Sequence, residues 1–202
     1  MGENEWQNVN STNHEFPNRH SIRLRDYDYS AVGAYFVTTN IYQRGLLLGS
    51  ISDGMMIQNQ FGKIANAYWQ KLPAHYPNVK LDSFVIMPDH MHGIIWLDGG
   101  RGGSHIDARL RTDKFQTRPY GAIIGGKYPL SEIIRAFKSF SARQMNRLRG
   151  IRGIPVWQRN YYEHIIRNQA ELGQIREYIA DNPLNWSLGK VDAGDDWVQK
   201  VL

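Results

Sequence analysis

Apolar and polar positions along the chain fall into short segments that follow one of two periods. "GAYFVTTNIYQR" (33–44) alternates β-branched and aromatic residues with others and predicts a first strand. "LLLGSISDGMMIQ" (46–58) is two apolar pieces broken at Asp53-Gly54, a pair that tolerates left-handed backbone and predicts a hairpin. "QFGKIANAYWQKL" (60–72) switches to the helical period, with Phe61, Ile64, Ala65, Tyr68 and Leu72 on one face and Pro73 as the stop. "VKLDSFVIM" (79–87) and "HMHGIIWL" (90–97) read as strands. Pro88-Asp89 between them predicts a tight turn, because a proline inside a central strand deletes a ladder hydrogen bond. "PLSEIIRAFKSFSARQMNRLR" (129–149) predicts a helix with Leu130, Ile133, Ile134, Phe137 and Ser141 inward. "VWQRNYYEHIIR" (156–167) predicts a strand, and "NQAELGQIREYIADNP" (168–183) a helix opened by Asn168 with Glu171 and closed at Pro183. Strands and helices in this order favour an α+β fold, a ferredoxin-like antiparallel sheet with helices packed mainly on one face.

Between these elements the chain changes character. Residues 1–22 are polar and aperiodic and predict a flexible tail, 23–187 one domain, and 188–202 a second tail. Residues 98–129 are Gly-rich, basic and irregular, an insertion of a length that usually marks function or disorder. Neither that segment nor any other has a phosphate-cradling glycine motif. The absence of cysteine excludes disulfides, thiolate zinc sites and cysteine nucleophiles. No apolar run approaches 18 residues and the start lacks a secretory pattern, so a cytoplasmic protein without a membrane span is expected. The net charge of +5 is unevenly placed: residues 101–176 hold 15 Lys/Arg against 5 Asp/Glu, while the remainder is acidic. That distribution suits a polyanion-binding face, and equally a solvated basic helix.

Two constellations carry candidate chemistry. Residues i and i+2 of a strand share a face, so His90 and His92 project side by side at the start of a strand, with Met91 opposite. Paired imidazoles in this position can ligate one divalent cation, given a third donor. They can also be hydrogen-bonded core or polar-face histidines. In the last helix Tyr178 and Asn182 stand four residues apart and share a face, a phenol beside an amide oxygen. Alternatively Tyr178 is a core-edge residue and Asn182 a helix end, turned from helical angles by Pro183.

"VIMPDHMHGIIWL" (85–97), then "VWQRNYYEHIIRNQAELGQIREYIADNPLNW" (156–186), after "GAYFVTTNIYQRG" (33–45), resembles the single-tyrosine HUH transposases. Among them it is most similar to the REP-associated tyrosine transposases, over roughly residues 30–187. The resemblance implies a metal-dependent single-stranded DNA endonuclease and strand transferase that cleaves at palindromic REP-like hairpins. It implies Tyr178 as the nucleophile forming a 5′-phosphotyrosine link, and His90, His92 and Asn182 as ligands to Mg²⁺ or Mn²⁺. Asn182 departs from members that carry glutamine there. His164 in "YYEHIIR" resembles a family histidine near the site and is a candidate to support it from behind, or a structural residue. Arg135, Lys138, Arg143, Arg147, Arg159 and Arg167 are candidate DNA contacts, and Tyr120, Trp157, Tyr161 and Tyr162 candidate stacking faces, with core packing favoured for Trp157. The expected partner is a DNA hairpin and the expected place the nucleoid-associated cytoplasm. The chain is expected as a monomer or homodimer, with cis or trans action of the tyrosine open. The competing reading is a non-cleaving nucleic-acid-binding regulator on the same scaffold. Rolling-circle nickases share the ligand pair but place the tyrosine before the histidines.

Overall fold

In the computed structural model of the chain, residues 28–98 and 127–189 are described. The expected N-terminal tail and Tyr120 lie outside them, as do almost all of the 98–129 insertion and of the C-terminal tail. The alternating segments form β1 (Gly33–Asn40), β4 (Val79–Ile86), β5 (His90–Leu97) and β6 (Tyr162–Ile166). These make one antiparallel sheet in the order β4-β5-β1-β6. The hairpin of β2 (Gly49–Ser52) and β3 (Met55–Gln58), then α1 (Gln60–Gln70) and the short α2 (Leu72–His75), connect β1 to β4. Helix α3 (Leu130–Leu148) lies between β5 and β6, and α4 (Gln169–Ser187) follows β6. This is the ferredoxin-like α+β arrangement expected from the pattern.

The pleat of the sheet divides its residues between two layers. Tyr35, Val37, Met91, Ile95 and Leu97 bury one face against Ala65 and Trp69 of α1, Leu72 of α2, and Ile133, Ile134 and Phe137 of α3. Ala34, Phe36, Ile94 and Ile166 bury the other face against Leu172, Ile175 and Ile179 of α4. Three helices therefore share one face, and α4 alone covers the other. The β2–β3 turn is tight because Asp53 (φ 51°) and Gly54 (φ 71°) both take left-handed backbone, the pairing that matches strand twist. Among the described residues no helix is long and apolar enough to cross a membrane.

Three element boundaries and the inward face of one helix differ from the sequence expectation. Strand β1 ends at Asn40, not near residue 44, because the chain turns sharply over 42–44 with Gln43 and Arg44 left-handed. Strand β6 covers only Tyr162–Ile166. Trp157 makes a single bridge to Ile41 while its indole N–H donates to Ser141 Oγ in the core at 2.9 Å. The inward stripe of α1 centres on fully buried Trp69, with Phe61, Ile64 and Tyr68 at its margin. Finally, α4 runs through Pro183 to Ser187. Proline removes one N–H from the helix ladder, but the last turn is retained by Leu188 N–H donating to Leu184 O at 3.2 Å and by Leu184 lying over Gly54 of the hairpin.

Gly93, between His92 and Ile94, faces Trp69, and a Cβ there would stand 2.5 Å from the indole Cζ2. Gly93→Ala is expected to lower unfolding stability by about 1–3 kcal/mol through overpacking, measured by urea or thermal unfolding.

Candidate active site

The two-residue period of β5 points His90 and His92 at the α4 layer while Met91 enters the opposite core. Both imidazoles are 1% exposed. Their Nε2 atoms face each other at 3.0 Å. His90 Nδ1–H donates to Asp89 Oδ1 at 2.5 Å. A carboxylate only accepts, so the hydrogen of neutral His90 resides on Nδ1 and its Nε2 is a bare acceptor. His92 is held from β1: its Nδ1 is 2.8 Å from Thr38 Oγ1, its cross-strand partner, and Phe36 stacks on its ring at 5.3 Å. Burial, then the neighbouring His90 and Arg44, pushes the His92 pKa well below its ordinary value. The ring is therefore neutral and offers a lone pair.

Helix α4 supplies the rest. Tyr178 Oη lies 3.2 Å from His92 Nε2, and the two rings are 5.2 Å apart. Two turns on, the Trp186 ring is 5.9 Å from that of His90. Residues i, i+4 and i+8 share a helix face, so Asn182 stands between Tyr178 and Trp186 on the side of α4 that meets the histidines. Because the helix continues through Pro183, this amide stays on that face and is not turned away. It is fully buried, and neither Oδ1 nor Nδ2 has a hydrogen-bond partner among the described residues. A buried amide left unpaired is costly unless a ligand satisfies it.

Three polar contacts set the position of α4. Asn168 Oδ1 caps it by accepting from Glu171 N–H at 2.9 Å. The Glu171 carboxylate accepts from Arg167 N–H at 2.7 Å and pairs with His164 Nε2 at 2.5 Å, in place of the reciprocal bond of a capping box. Farther along, Arg176 donates through Nε (2.9 Å) and Nη2 (2.6 Å) to Asp82 on β4, which also accepts from Trp96 Nε1 at 2.9 Å. Arg176, with help from Trp96 and the Ser83 N–H, holds the Asp82 carboxyl well below the usual carboxylate range against the opposing effect of burial.

The donor set fits a divalent cation. Two cation–nitrogen bonds of about 2.1 Å at a right angle span about 3.0 Å, and the imidazole nitrogens are 3.0 Å apart. Among the described residues no three His, Cys, Asp or Glu side chains gather for a metal, so a cation on this pair would need a further donor of another kind.

No protein-family model matches the chain. A Haemophilus influenzae protein of uncharacterised function is 37% identical over 169 residues, covering 83% of this chain and 89% of the relative. A second Haemophilus influenzae protein, named as a candidate REP-associated tyrosine transposase, is 26% identical over 172 residues, 84% of this chain and 80% of its own. Among solved structures, a REP-associated tyrosine transposase bound to a REP hairpin shares the fold with a TM-score of 0.51 at 21% identity, over 84% of this chain and 75% of that one. The chain is thus similar in sequence to a relative named for the REP-associated tyrosine transposases and shares the fold of a solved one.

Of the residues singled out from sequence, His90, His92 and Tyr178 meet, and Asn182 follows Tyr178 by one turn on α4. His164 pairs with Glu171 at the start of α4, opposite Phe36 of β1. The basic residues are dispersed. Arg135 pairs with Glu132 at 2.6 Å, Arg143 lies over Phe140 at 5.0 Å, and Arg147 donates to Gln144 at 3.5 Å. Lys138 directs its ammonium to the carbonyls of Gln158, Arg159 and Asn160 at 2.5, 2.9 and 3.1 Å. Burial lowers its pKa to about 8. Tyr161 and Tyr162 are partly buried against the two cores.

The residues that sequence reasoning missed are the supporting ones: Thr38, Phe36, Arg44, Asp82, Asp89, Arg176 and Trp186. Only Asp89 carried a local signal, its place directly before His90.

The Asp82–Arg176 contact makes a pH prediction. A carboxyl whose folded pKa is depressed adds stability above its unfolded value, near about 3.9, and loses it as pH falls through the lower folded value. Arg176→Gln is therefore expected to be less stable than the wild type at neutral pH, with the gap closing below about pH 4. Urea midpoints measured from pH 7 to pH 2.5 check this, and a gap constant over that range would contradict it.

Proposed function

We propose that the protein is a single-stranded DNA endonuclease and strand transferase acting at REP-like hairpins through Tyr178. The observation that carries this reading is the 3.2 Å approach of Tyr178 Oη to His92 Nε2 in the same chain, one helical turn before a buried amide that has no hydrogen-bond partner among the described residues. A binding module has no use for a phenol at that position. A hairpin is the bound ligand of the solved REP-associated transposase that shares this fold, and the excess of basic residues over 101–176 suits a polyanion.

His90, His92 and Asn182 would hold the cation, Mg²⁺ or Mn²⁺. When bound, it supplies charge neutralisation and polarisation at a non-bridging phosphoryl oxygen. The chain's own residues do the rest. Tyr178 forms the oxygen–phosphorus bond, the phosphorus–O3′ bond breaks, and the 3′-oxygen leaves with a proton equivalent to that lost by the phenol. The product is a 5′-phosphotyrosine with a free 3′-hydroxyl, and the retained phosphodiester energy permits rejoining without ATP. His92, neutral by burial, would give its Nε2 lone pair to the cation, with the phenol of Tyr178 beside it. Covering both rings with α4 excludes water, which strengthens each electrostatic contact and protects the covalent link. All four residues come from one chain, so the reading favours action in cis.

Tyr178→Phe is expected to bind a single-stranded hairpin with an affinity within about twofold of wild type. It is expected to form no denaturation-resistant protein–DNA adduct, since removing the nucleophile removes a covalent step and not a binding contact. His90→Ala is expected to reduce adduct formation in Mn²⁺ by about 100-fold or more while altering hairpin affinity far less. Incubation with labelled hairpin DNA and denaturing electrophoresis reads both. A wild-type chain that binds the hairpin but never forms an adduct would identify a regulator that does not cleave.

A further inference from the structure

We propose that Asp89 and Arg44 are positioning residues for His90: the carboxylate dictates which ring nitrogen carries the hydrogen, and the guanidinium balances the charge this buries. The proposal deepens the reading of His90 as a metal ligand and rests on it for its consequence, whereas the hydrogen's location is a property of the metal-free chain.

Asp89 is 3% exposed, and a carboxylate in that position needs charged or hydrogen-bonding partners on both oxygens. Oδ1 accepts from His90 Nδ1–H at 2.5 Å, and Oδ2 lies 2.9 Å from Arg44 Nε. Arg44 also donates through Nη1 to Asn40 Oδ1. It arrives there on an unusual backbone: Gln43 and Arg44 both have φ 56°, a conformation that is costly for non-glycine residues. They persist only where the surroundings over-determine them. Here Ile41 N–H donates to Asp89 O at 2.8 Å and Arg44 N–H to Ile41 O at 3.0 Å. The end of β1 is thus tied to Asp89 twice, through main chain and through guanidinium.

The two histidines are held by partners of different kinds. Thr38, opposite His92, is a hydroxyl that can donate or accept, so His92 can carry its hydrogen on either nitrogen. Asp89 can only accept, so His90 cannot. In the metal-free chain one hydrogen must lie between the facing Nε2 atoms, 3.0 Å apart. Because His90 Nε2 is bare, that hydrogen belongs to His92, and Thr38 Oγ1–H donates to His92 Nδ1. On cation binding the hydrogen leaves His92 Nε2, one arrives at Nδ1, and the Thr38 hydroxyl turns to accept it. His90 is the fixed ligand and His92 the adjustable one.

The test is the tautomer of each ring, read from long-range ¹H–¹⁵N correlations, together with calorimetric affinity for Mg²⁺ and Zn²⁺. Wild type is expected to show His90 with hydrogen on Nδ1 throughout, and His92 moving from Nε2–H to Nδ1–H on addition of the cation. Asp89→Asn keeps the shape but offers the ring either an oxygen or an NH₂. It is expected to give His90 in mixed tautomers and an affinity weakened about 10-fold or more, with Arg44→Gln intermediate. If Asp89 and Arg44 served only to hold their turns, the variants would lose thermal stability with ring shifts and cation affinity within twofold of wild type, and that result would overturn the proposal. A wild type with His90 fixed on Nδ1–H but no cation affinity would remove the metal reading and leave the assignment of the hydrogen in place.

Discussion

Two imidazoles pressed together inside a protein, nitrogen to nitrogen at 3.0 Å, repel through their lone pairs unless a proton or a cation lies between them. That constraint explains why the surroundings are built as they are. The central strand β1 supplies Thr38 and Phe36, which grip His92 by hydrogen bond and by stacking. The turn before β5 supplies Asp89, which grips His90. Helix α4 closes the third side, so that water cannot serve as the missing partner. Each ring is oriented by a group on its far nitrogen, leaving the facing nitrogens committed to each other or to a shared ion.

The weight this puts on α4 is considerable, because the apolar contact beneath it is small: Leu172, Ile175 and Ile179 against four sheet residues. A slip of one residue along a helix rotates a side chain by about 100°, enough to take Tyr178 off His92. Ties at intervals oppose that slip. Glu171 bonds at the first turn, Arg176 forks onto Asp82 in the second, and Leu184 seats on Gly54 near the end. Tyr178 and Asn182 lie between the last two. The bidentate fork fixes rotation as well as distance, which a single hydrogen bond would not.

Much of this was legible in the sequence, for reasons that differ between residues. The faces of β1 and β5 follow from period-2 alternation, and so does the side-by-side projection of His90 and His92. The Asp53-Gly54 turn and the Asn168 cap follow from local backbone chemistry. The pairing of Tyr178 with Asn182 follows from helical spacing, and its meeting with the histidines was implied by family resemblance alone, since no local rule joins segments 86 residues apart. Where local rules misled, tertiary contact had overridden them. Pro183 predicts a helix end, yet packing of Leu184 on the hairpin carries α4 onward. Lys138 reads as a solvated cation on a helical face, yet a loop folds its carbonyls onto it. Arg44 was invisible because its role depends on two consecutive left-handed residues, which the sequence Gln-Arg gives no reason to expect.

The charge of the proposed donor set has a consequence of its own. His90, His92 and Asn182 are all neutral ligands, and the nearest carboxylate, Asp89, is turned to the far nitrogen of His90 and paired with Arg44. A site lined with carboxylates attracts a dication whether or not substrate is present. Here the proposed donors offer lone pairs but no net negative charge, so a bound phosphodiester would add to an attraction that the donors alone supply more weakly. Ion and DNA would then strengthen each other's binding, as linkage requires when each improves the other's electrostatics. In that reading Arg44 would offset the Asp89 carboxylate, and the phosphate would be the uncompensated anion beside Tyr178.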